Sequence, residues 1–213
     1  MTRHPIVCLE GPSAAGKSAI AHHLSEHVGY AVIPEVNVRF RGRARKGANW
    51  YFERQIDRYQ EALAHNDDGG RAVLDGDPFQ PLWYNWIYRD FGPLERVIDF
   101  YQRAIDHQRI RFPDLYVIIQ ASVADLATRR ANDISRRRRN FDRHLQMIAP
   151  QRSYFEQLRS FDIVEVEFVE NHDVISSAMK VAQWAQQSCA REGTTHQLSA
   201  LSAFLRTNAP RFS

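Results

Sequence analysis

The sequence predicts an α/β fold, a three-layer sandwich in which helices cover both faces of a five-stranded parallel sheet. Five short apolar runs, each of strand length, alternate with longer stretches whose apolar residues recur with helical spacing. The first four runs carry few polar residues, as expected of strands buried on both faces. The fifth alternates apolar and acidic residues, which is typical of an edge strand. The predicted strands are residues 6–9, 30–33, 72–74, 115–119 and 163–168.

Helical periodicity and breakers define the segments between these strands. Ile20, Leu24 and Val28 lie on one stripe of a first helix, and breakers such as residues 66–70 separate later elements. The other predicted helices are residues 49–65, 94–109, a helix from 123 into an arginine tract, 141–158 and 174–190. The helix 94–109 offers a surface for a homodimer. Past residue 191 the composition turns polar, so we expect a domain over 1–190 and a loosely attached tail over 191–213.

Composition narrows the classes of protein. The 213 residues suit one domain, with 44% hydrophobic and 25% charged residues. No apolar stretch is long enough to span a bilayer and no secretory signal precedes the first strand, so we expect a cytoplasmic protein with no membrane partner. Cys8 and Cys189 are expected to be free thiols, Cys8 buried. The net charge is +3, but the basic residues cluster in 39–46 and 129–139, which favours an anionic ligand such as a polyphosphate or RNA.

A phosphate-binding loop follows the first strand. Gly11-Pro12-Ser13-Ala14-Ala15-Gly16-Lys17-Ser18 has the spacing Gly-x4-Gly-Lys-Ser and opens a helix, which is the context that such a loop requires. Its glycines allow successive amides to face a phosphate, and the helix adds its positive dipole end. We expect ATP as the ligand. The residues expected to bind it are Gly11, Ser13, Ala14, Ala15, Gly16, Lys17, Ser18 and Ala19.

Acidic residues at the ends of two further strands predict a metal site and a base. Mg²⁺ favours hard oxygen ligands, and Ser18 with Asp75, at the end of the third strand, is the expected pair. Asp77 lies two residues later and is an alternative, although Asp-Gly-Asp-Pro is also ordinary turn chemistry. Glu35 ends the second strand and could accept a proton from an attacking hydroxyl.

Over residues 6–168 the sequence resembles the nucleoside and nucleotide kinase group of P-loop proteins, which includes the thymidylate kinases, and most closely the deoxynucleoside kinases. Pro34-Glu35-Val36 has the residue types of that family after strand two in a different order, which implies that Glu35 is the base. Phe52-Glu53-Arg54-Gln55 looks like the family's aromatic-x-x-Gln pattern, which implies that Gln55 reads the substrate. Tyr51 and Tyr59 are either substrate-facing or core. After strand three the family has an acidic-Arg-Ser triplet, whereas Asp75-Gly76-Asp77 keeps the acid and lacks the arginine, so either another arginine replaces it or the acceptor differs.

The resemblance also implies an arginine-bearing lid over residues 129–141, with Arg130 and Arg136 as catalytic residues beside Lys17 and Glu35. Guanidinium groups suit this role because they stay charged and donate in a planar fork to phosphate oxygens. Trp83 lies in an aromatic segment that either stacks a planar substrate or packs beneath the sheet. The residues expected on the substrate side are Glu35, Gln55, Asp75, Asp77, Trp83 and Arg39.

The sequence therefore predicts an ATP- and Mg²⁺-dependent kinase that phosphorylates a hydroxyl of a small molecule, with a nucleoside or nucleoside-like compound as the expected acceptor. Two related alternatives are a nucleoside monophosphate kinase, with Arg39 and its neighbours on the substrate phosphate, and a kinase of an antibiotic or other natural product. A different class is an NTP-hydrolysing module that binds nucleic acid. We do not expect nucleic acid as the partner, because the sequence lacks the motifs of a guanine-nucleotide switch and of an RNA-binding sheet.

Overall fold

A central parallel sheet organises the chain in a computed structural model that describes residues 3–44, 47–133, 140–162, 164–190 and 197–210. Its strands are β1 (Val7–Glu10), β2 (Tyr30–Ile33), β3 (Arg71–Asp75), β4 (Leu115–Gln120) and β5 (Glu165–Glu170). They are hydrogen-bonded in the order β2-β3-β1-β4-β5, and all four pairings are parallel. The predicted fold class is confirmed, and β5 lies at an edge as its alternating pattern indicated.

The helices of the described residues connect these strands. They are α1 (Lys17–Val28), α2 (Val36–Arg39), α3 (Trp50–Asp67), α4 (Gln80–Tyr88), α5 (Leu94–Asp106), α6 (Val123–Asn132), α7 (Phe141–Gln146), α8 (Ile148–Ser160), α9 (Val174–Gln187) and α10 (Gln197–Thr207). The predicted helix 141–158 is two helices that meet at Met147, and α2 and α4 were not predicted. The fifth strand begins two residues later than expected, and Ile163 lies outside the described residues.

Helices cover both faces of the sheet, so the core has two parts. One contains side chains from α3, α4, α5, α8 and α10, and the other contains side chains from α1, α6 and α9. Cys8 is buried in the first part and Cys189 is exposed, and both are free thiols as predicted. No helix in the described ranges is long and apolar enough to cross a membrane.

The described part of the C-terminal tail contradicts the expectation of loose attachment. Leu198, Leu201 and Leu205 on α10 are almost fully buried against the first part of the core. The indole N–H of Trp86 on α4 donates to the backbone oxygen of Asn208 at 2.7 Å. The composition after residue 191 is polar, which led to the expectation of loose attachment. However, these leucines are spaced three and four apart, and they form a buried helical stripe.

Candidate active site

The phosphate loop connects the end of β1 to the start of α1 at the carboxyl edge of the sheet. Gly11 and Gly16 have φ of 142° and 103°, in the region that favours glycine. A Cβ at Gly11 would lie 2.2 Å from the backbone oxygen of Ile119 on β4, so the loop fits against the sheet only without a side chain there. Lys17 begins α1, and its Nζ donates to the backbone oxygens of Gly11 at 2.8 Å and Pro12 at 3.3 Å.

Two residues from the far side of the sheet fasten this loop. Asn171, directly after β5, is buried, and its Nδ2 donates to the backbone oxygen of Ala15 at 2.7 Å. Arg129 on α6 donates from Nη1 to the same oxygen at 3.1 Å and from Nη2 to the backbone oxygen of Asn171. A side chain at Gly16 would meet Asn171 Nδ2 at 2.3 Å. Asn171 therefore supports the loop from behind.

Ser18 and Asp75 meet as a metal-binding pair would. The hydroxyl of Ser18 donates to Oδ2 of Asp75 at 2.7 Å, while Oδ1 of Asp75 is buried with no hydrogen-bond partner among the described residues. Burial raises the pKa of Asp75, and the nearby carboxylate of Glu35 raises it further, whereas Lys17 and Ser18 lower it. A buried acceptor without a donor, beside a second carboxylate, is an environment that a divalent cation would stabilise, so these residues fit Mg²⁺.

Glu35 stands across from this pair. It precedes α2, is half-buried, and lies against the turn after β3, where a Cβ at Gly76 would be 3.3 Å from its Cγ. Both Glu35 and Asp75 therefore face the space above the carboxyl edge, as the ends of neighbouring parallel strands should.

Asp77 belongs to a buried polar cluster beneath the site. Its Oδ1 accepts from the backbone N–H of Phe79 and the hydroxyl of Tyr116, each at 2.8 Å, and its Oδ2 accepts from Trp83 Nε1 at 3.0 Å. Burial and the charge of Glu10 raise the pKa of Asp77 to about 7. These contacts give Asp77 and Trp83 a packing role; the contact with substrate expected of them stays a prediction.

One cavity of about 770 Å³ extends from the phosphate loop to side chains of α3 and α4. Its wall includes Lys17, Glu35, Gln55 and Arg129, together with Asp77 and Trp83. At the end away from the loop Tyr51 stacks on Phe91, with ring centroids 5.6 Å apart, and donates its hydroxyl to Gln80 Oε1 at 2.8 Å. These residues also line the cavity, which therefore combines a phosphate site with an aromatic, amide-bearing wall.

Other predicted site residues lie elsewhere. Arg39 is exposed and pairs with Glu61 at 2.6 Å, outside the cavity wall. Arg130 lies over the ring of Phe141, 4.6 Å from its centroid, and pairs with Asp142, so of the two neighbouring arginines it is Arg129 that borders the cavity. Arg136 lies outside the described residues, as does the rest of the segment 134–139 of the predicted lid.

The sequence matches the AAA domain family over residues 6–158, from β1 to α8. The chain belongs to the AAA domain family. No curated protein is similar enough in sequence to count as a relative of this AAA domain protein.

Solved structures share the fold of this AAA domain protein at low sequence identity. A deoxyadenosine kinase from M. mycoides with bound dATP is 15% identical, with a TM-score of 0.60 over 85% of this chain and 99% of that one. A thymidylate kinase from Candida albicans is 12% identical, with a TM-score of 0.60 over 88% and 93%. The YorR protein from Bacillus subtilis, in complex with phosphorylated GDP, is 18% identical, with a TM-score of 0.54 over 85% and 95%. The chain therefore has the P-loop fold of nucleoside and nucleotide kinases.

Sequence reasoning missed one residue of the site altogether. Arg58 on α3 borders the cavity with only 1% of its surface exposed, and its guanidinium contacts the ends of β2 and β3. A signal was present, because Arg58 follows Gln55 by three residues and shares its helix face. Arginine in the middle of a helix is ordinarily exposed to solvent, so this spacing did not lead to the prediction of a buried site residue.

Proposed function

We propose that the protein is an ATP- and Mg²⁺-dependent kinase that phosphorylates a hydroxyl group of a nucleoside or nucleoside-like compound. The observation that carries the proposal is that Ser18 and Glu35 line one cavity together with the phosphate loop, and that Ser18 is hydrogen-bonded to Asp75. The shared fold of nucleoside and nucleotide kinases supports a phosphotransferase of this kind.

The donor side would hold the polyphosphate of ATP. Amides of the loop and the start of α1 supply hydrogen bonds and a positive dipole end, and Lys17 exchanges its loop carbonyls for phosphate oxygens. Ser18 and Asp75 would hold Mg²⁺, which when bound neutralises charge on the phosphates. The protein brings few ligands of its own: the described residues contain no group of three or more His, Cys, Asp or Glu side chains poised for a metal. That is ordinary for Mg²⁺, which keeps waters and phosphate oxygens as ligands.

The acceptor side would orient the hydroxyl and receive its proton. Glu35 lies at the end of β2, beside the metal pair, and its carboxylate can accept the proton that the hydroxyl loses as the new phosphate ester bond forms. Tyr51 and Phe91 offer a flat surface for a planar group, and Gln55 and Gln80 offer polar contacts. Arg129 donates to the phosphate loop and would stabilise negative charge on the transferring phosphoryl group.

The monophosphate kinase alternative is weakened by Arg39. That reading needs arginines after Glu35 to hold a substrate phosphate, whereas Arg39 is paired with Glu61, and neither Arg41 nor Arg43 is among the described residues of the cavity wall. The natural-product alternative is compatible with the aromatic wall. A panel of acceptors distinguishes these alternatives.

The test is ADP release from ATP and Mg²⁺ in the presence of nucleosides, nucleoside monophosphates and sugar-like antibiotics. We expect nucleosides to stimulate turnover, and Glu35→Gln to lower it by about 10²- to 10⁴-fold while ATP binding stays intact. Glu26→Gln, which changes an exposed carboxylate on α1, is the matched control. Full turnover in Glu35→Gln would remove Glu35 from the mechanism.

A separate measurement addresses the nucleic-acid alternative. Gel-shift titrations with RNA and DNA at two salt concentrations should show no tight complex. Strong, salt-dependent binding together with no stimulation by any small molecule would overturn the kinase proposal, because phosphate-backbone recognition weakens steeply as salt rises.

A further inference from the structure

Arg58 is a buried cation to which the proposed function assigns no role. It lies in the interior of α3 with 1% of its surface exposed. A guanidinium removed from water is costly unless its N–H groups all find acceptors, so its contacts reveal what the fold gains from it.

Most of these contacts are backbone oxygens at the ends of two neighbouring strands. Nε of Arg58 donates to Pro34 at 2.7 Å, and Nη2 donates to Asp75 at 2.7 Å and to Gly76 at 2.9 Å. A longer contact of 3.4 Å reaches Ile33. Pro34 directly precedes Glu35, so one planar group bridges the backbone beside the expected base and the backbone of the expected metal ligand.

The remaining contact fixes a side chain of the cavity wall. Nη1 of Arg58 donates to Oε1 of Gln55, one helical turn earlier. A guanidinium has donors only, so the amide must turn its oxygen towards Arg58 and its NH₂ group away from it. Gln55 also borders the cavity. Gln55 therefore offers the acceptor compound N–H donors.

We propose that Arg58 is a positioning residue for the phosphoryl-transfer site, resting on the function proposed above. It does not contact the reacting atoms; it holds the end of β2 against the end of β3 and so sets Glu35 and Asp75 relative to each other. By orienting Gln55, it also selects acceptor compounds that present a carbonyl oxygen or an unprotonated ring nitrogen at that point.

Arginine suits this role for a geometric reason. Its planar fork donates in several directions at once, so a single group can bind carbonyls of two strands and an amide. A lysine at the same position would keep the charge and lose most of these bonds.

The experiment measures binding of the non-hydrolysable ATP analogue AMP-PNP with and without Mg²⁺, which requires no acceptor compound. In Arg58→Lys we expect the gain in AMP-PNP affinity that Mg²⁺ provides to fall by about 10-fold or more, because Asp75 loses its support. Affinity without Mg²⁺ should be unchanged, since the phosphate loop is fastened by other residues. Arg58→Gln, which introduces no buried charge, carries the test if the lysine variant does not fold.

Arg111→Lys is the matched control. Arg111 is also mostly buried and pairs with the buried Asp114 at 2.7 Å, just before β4 and at the opposite end of the sheet from the site. Both lysine variants should lose stability, and only the change at Arg58 should reduce the Mg²⁺ effect. A normal Mg²⁺ effect in folded Arg58→Lys or Arg58→Gln would overturn the proposal. Failure of every acceptor in the turnover panel would count against the proposed function alone.

Discussion

The two halves of the cavity are built in different ways. The donor half is one continuous stretch, the loop and the start of α1, whose backbone makes the phosphate site and whose geometry depends on Gly11 and Gly16. The acceptor half is assembled from side chains on α2, α3, α4 and α7 and on the turns between them. Backbone recognition suits a ligand that many proteins share, whereas side chains from separate elements can change one at a time. This difference indicates that the specificity of this protein resides in the acceptor half.

The largest expected effect is at Asp75, which accepts a hydrogen bond from Ser18 of the donor half. Asp75→Asn keeps the size of the side chain and an oxygen that can accept from Ser18, but it removes the charge that a metal needs. We expect turnover to fall by about 10³-fold and the Mg²⁺ effect on AMP-PNP affinity to disappear. Asp68→Asn, an exposed change at the end of α3, should leave both measurements unaltered. A turnover loss without any change in the Mg²⁺ effect would place Asp75 on the acceptor half instead.

A second test concerns the boundary between the halves, where Asp77 lies beside Glu10, whose Oε2 accepts from the backbone N–H of Asp77 at 2.9 Å. The folded protein raises the pKa of Asp77 from 3.8 to about 7, so the folded state binds a proton that the unfolded chain releases at lower pH. This contribution to stability is complete below pH 3.8 and is lost as the pH rises to about 7. The free energy of unfolding should therefore decrease over this interval, by up to about 4 kcal/mol.

Denaturant unfolding at pH 4.5, 6 and 7.5 measures this decrease. Asp77→Asn, which stays neutral at every pH, should flatten it. Burial also raises the pKa of Glu10, so a smaller decrease of the same sign should remain in the variant. The same pH dependence in the wild-type protein and in Asp77→Asn would show that Asp77 is ionised throughout, held by its three donors.

A third test asks whether α10 supports the acceptor half. Leu201 is fully buried in the first part of the core, to which α4 also contributes side chains. Leu201→Ala should lower the free energy of unfolding by about 2–5 kcal/mol, because it removes buried methyl groups and leaves a cavity. Arg206→Ala, also on α10, breaks an exposed ion pair with Glu95 of α5 and should cost less than about 1 kcal/mol. Equal small effects would mean that α10 detaches in solution.

The smallest expected effect comes from a change in the acceptor half. Gln55→Glu keeps the oxygen that Arg58 binds and replaces the NH₂ group with a second oxygen. We expect the KM for the preferred nucleoside to rise by about 10-fold while the KM for ATP stays the same. Gln60→Glu, on the exposed side of α3, is the control. An unchanged KM for the nucleoside would mean that Gln55 does not contact the acceptor.

The same contrast explains what could be predicted from the sequence. The strand order places Glu35, Asp75 and the phosphate loop at one edge, and the apolar runs and the Gly-x4-Gly-Lys-Ser spacing were enough to predict that. Asn171, Arg129 and Arg58 donate to backbone oxygens of distant segments. A linear pattern does not show which oxygens they reach, although the spacing does place Arg58 on the helix face of Gln55. The arginine tract illustrates the limit: Arg129 and Arg130 are neighbours in sequence, yet one binds the loop and the other covers Phe141.

The support of the phosphate loop by Asn171 has a consequence for co-translational folding. The hydrogen bond from Asn171 to Ala15 joins residues 156 positions apart. At a synthesis rate of about 5–20 residues per second, Asn171 is added roughly 8–30 s after Ala15. The phosphate loop is therefore translated well before the residue that fastens it. Under the proposed function, a nascent chain should bind ATP stably only after β5 has joined the sheet.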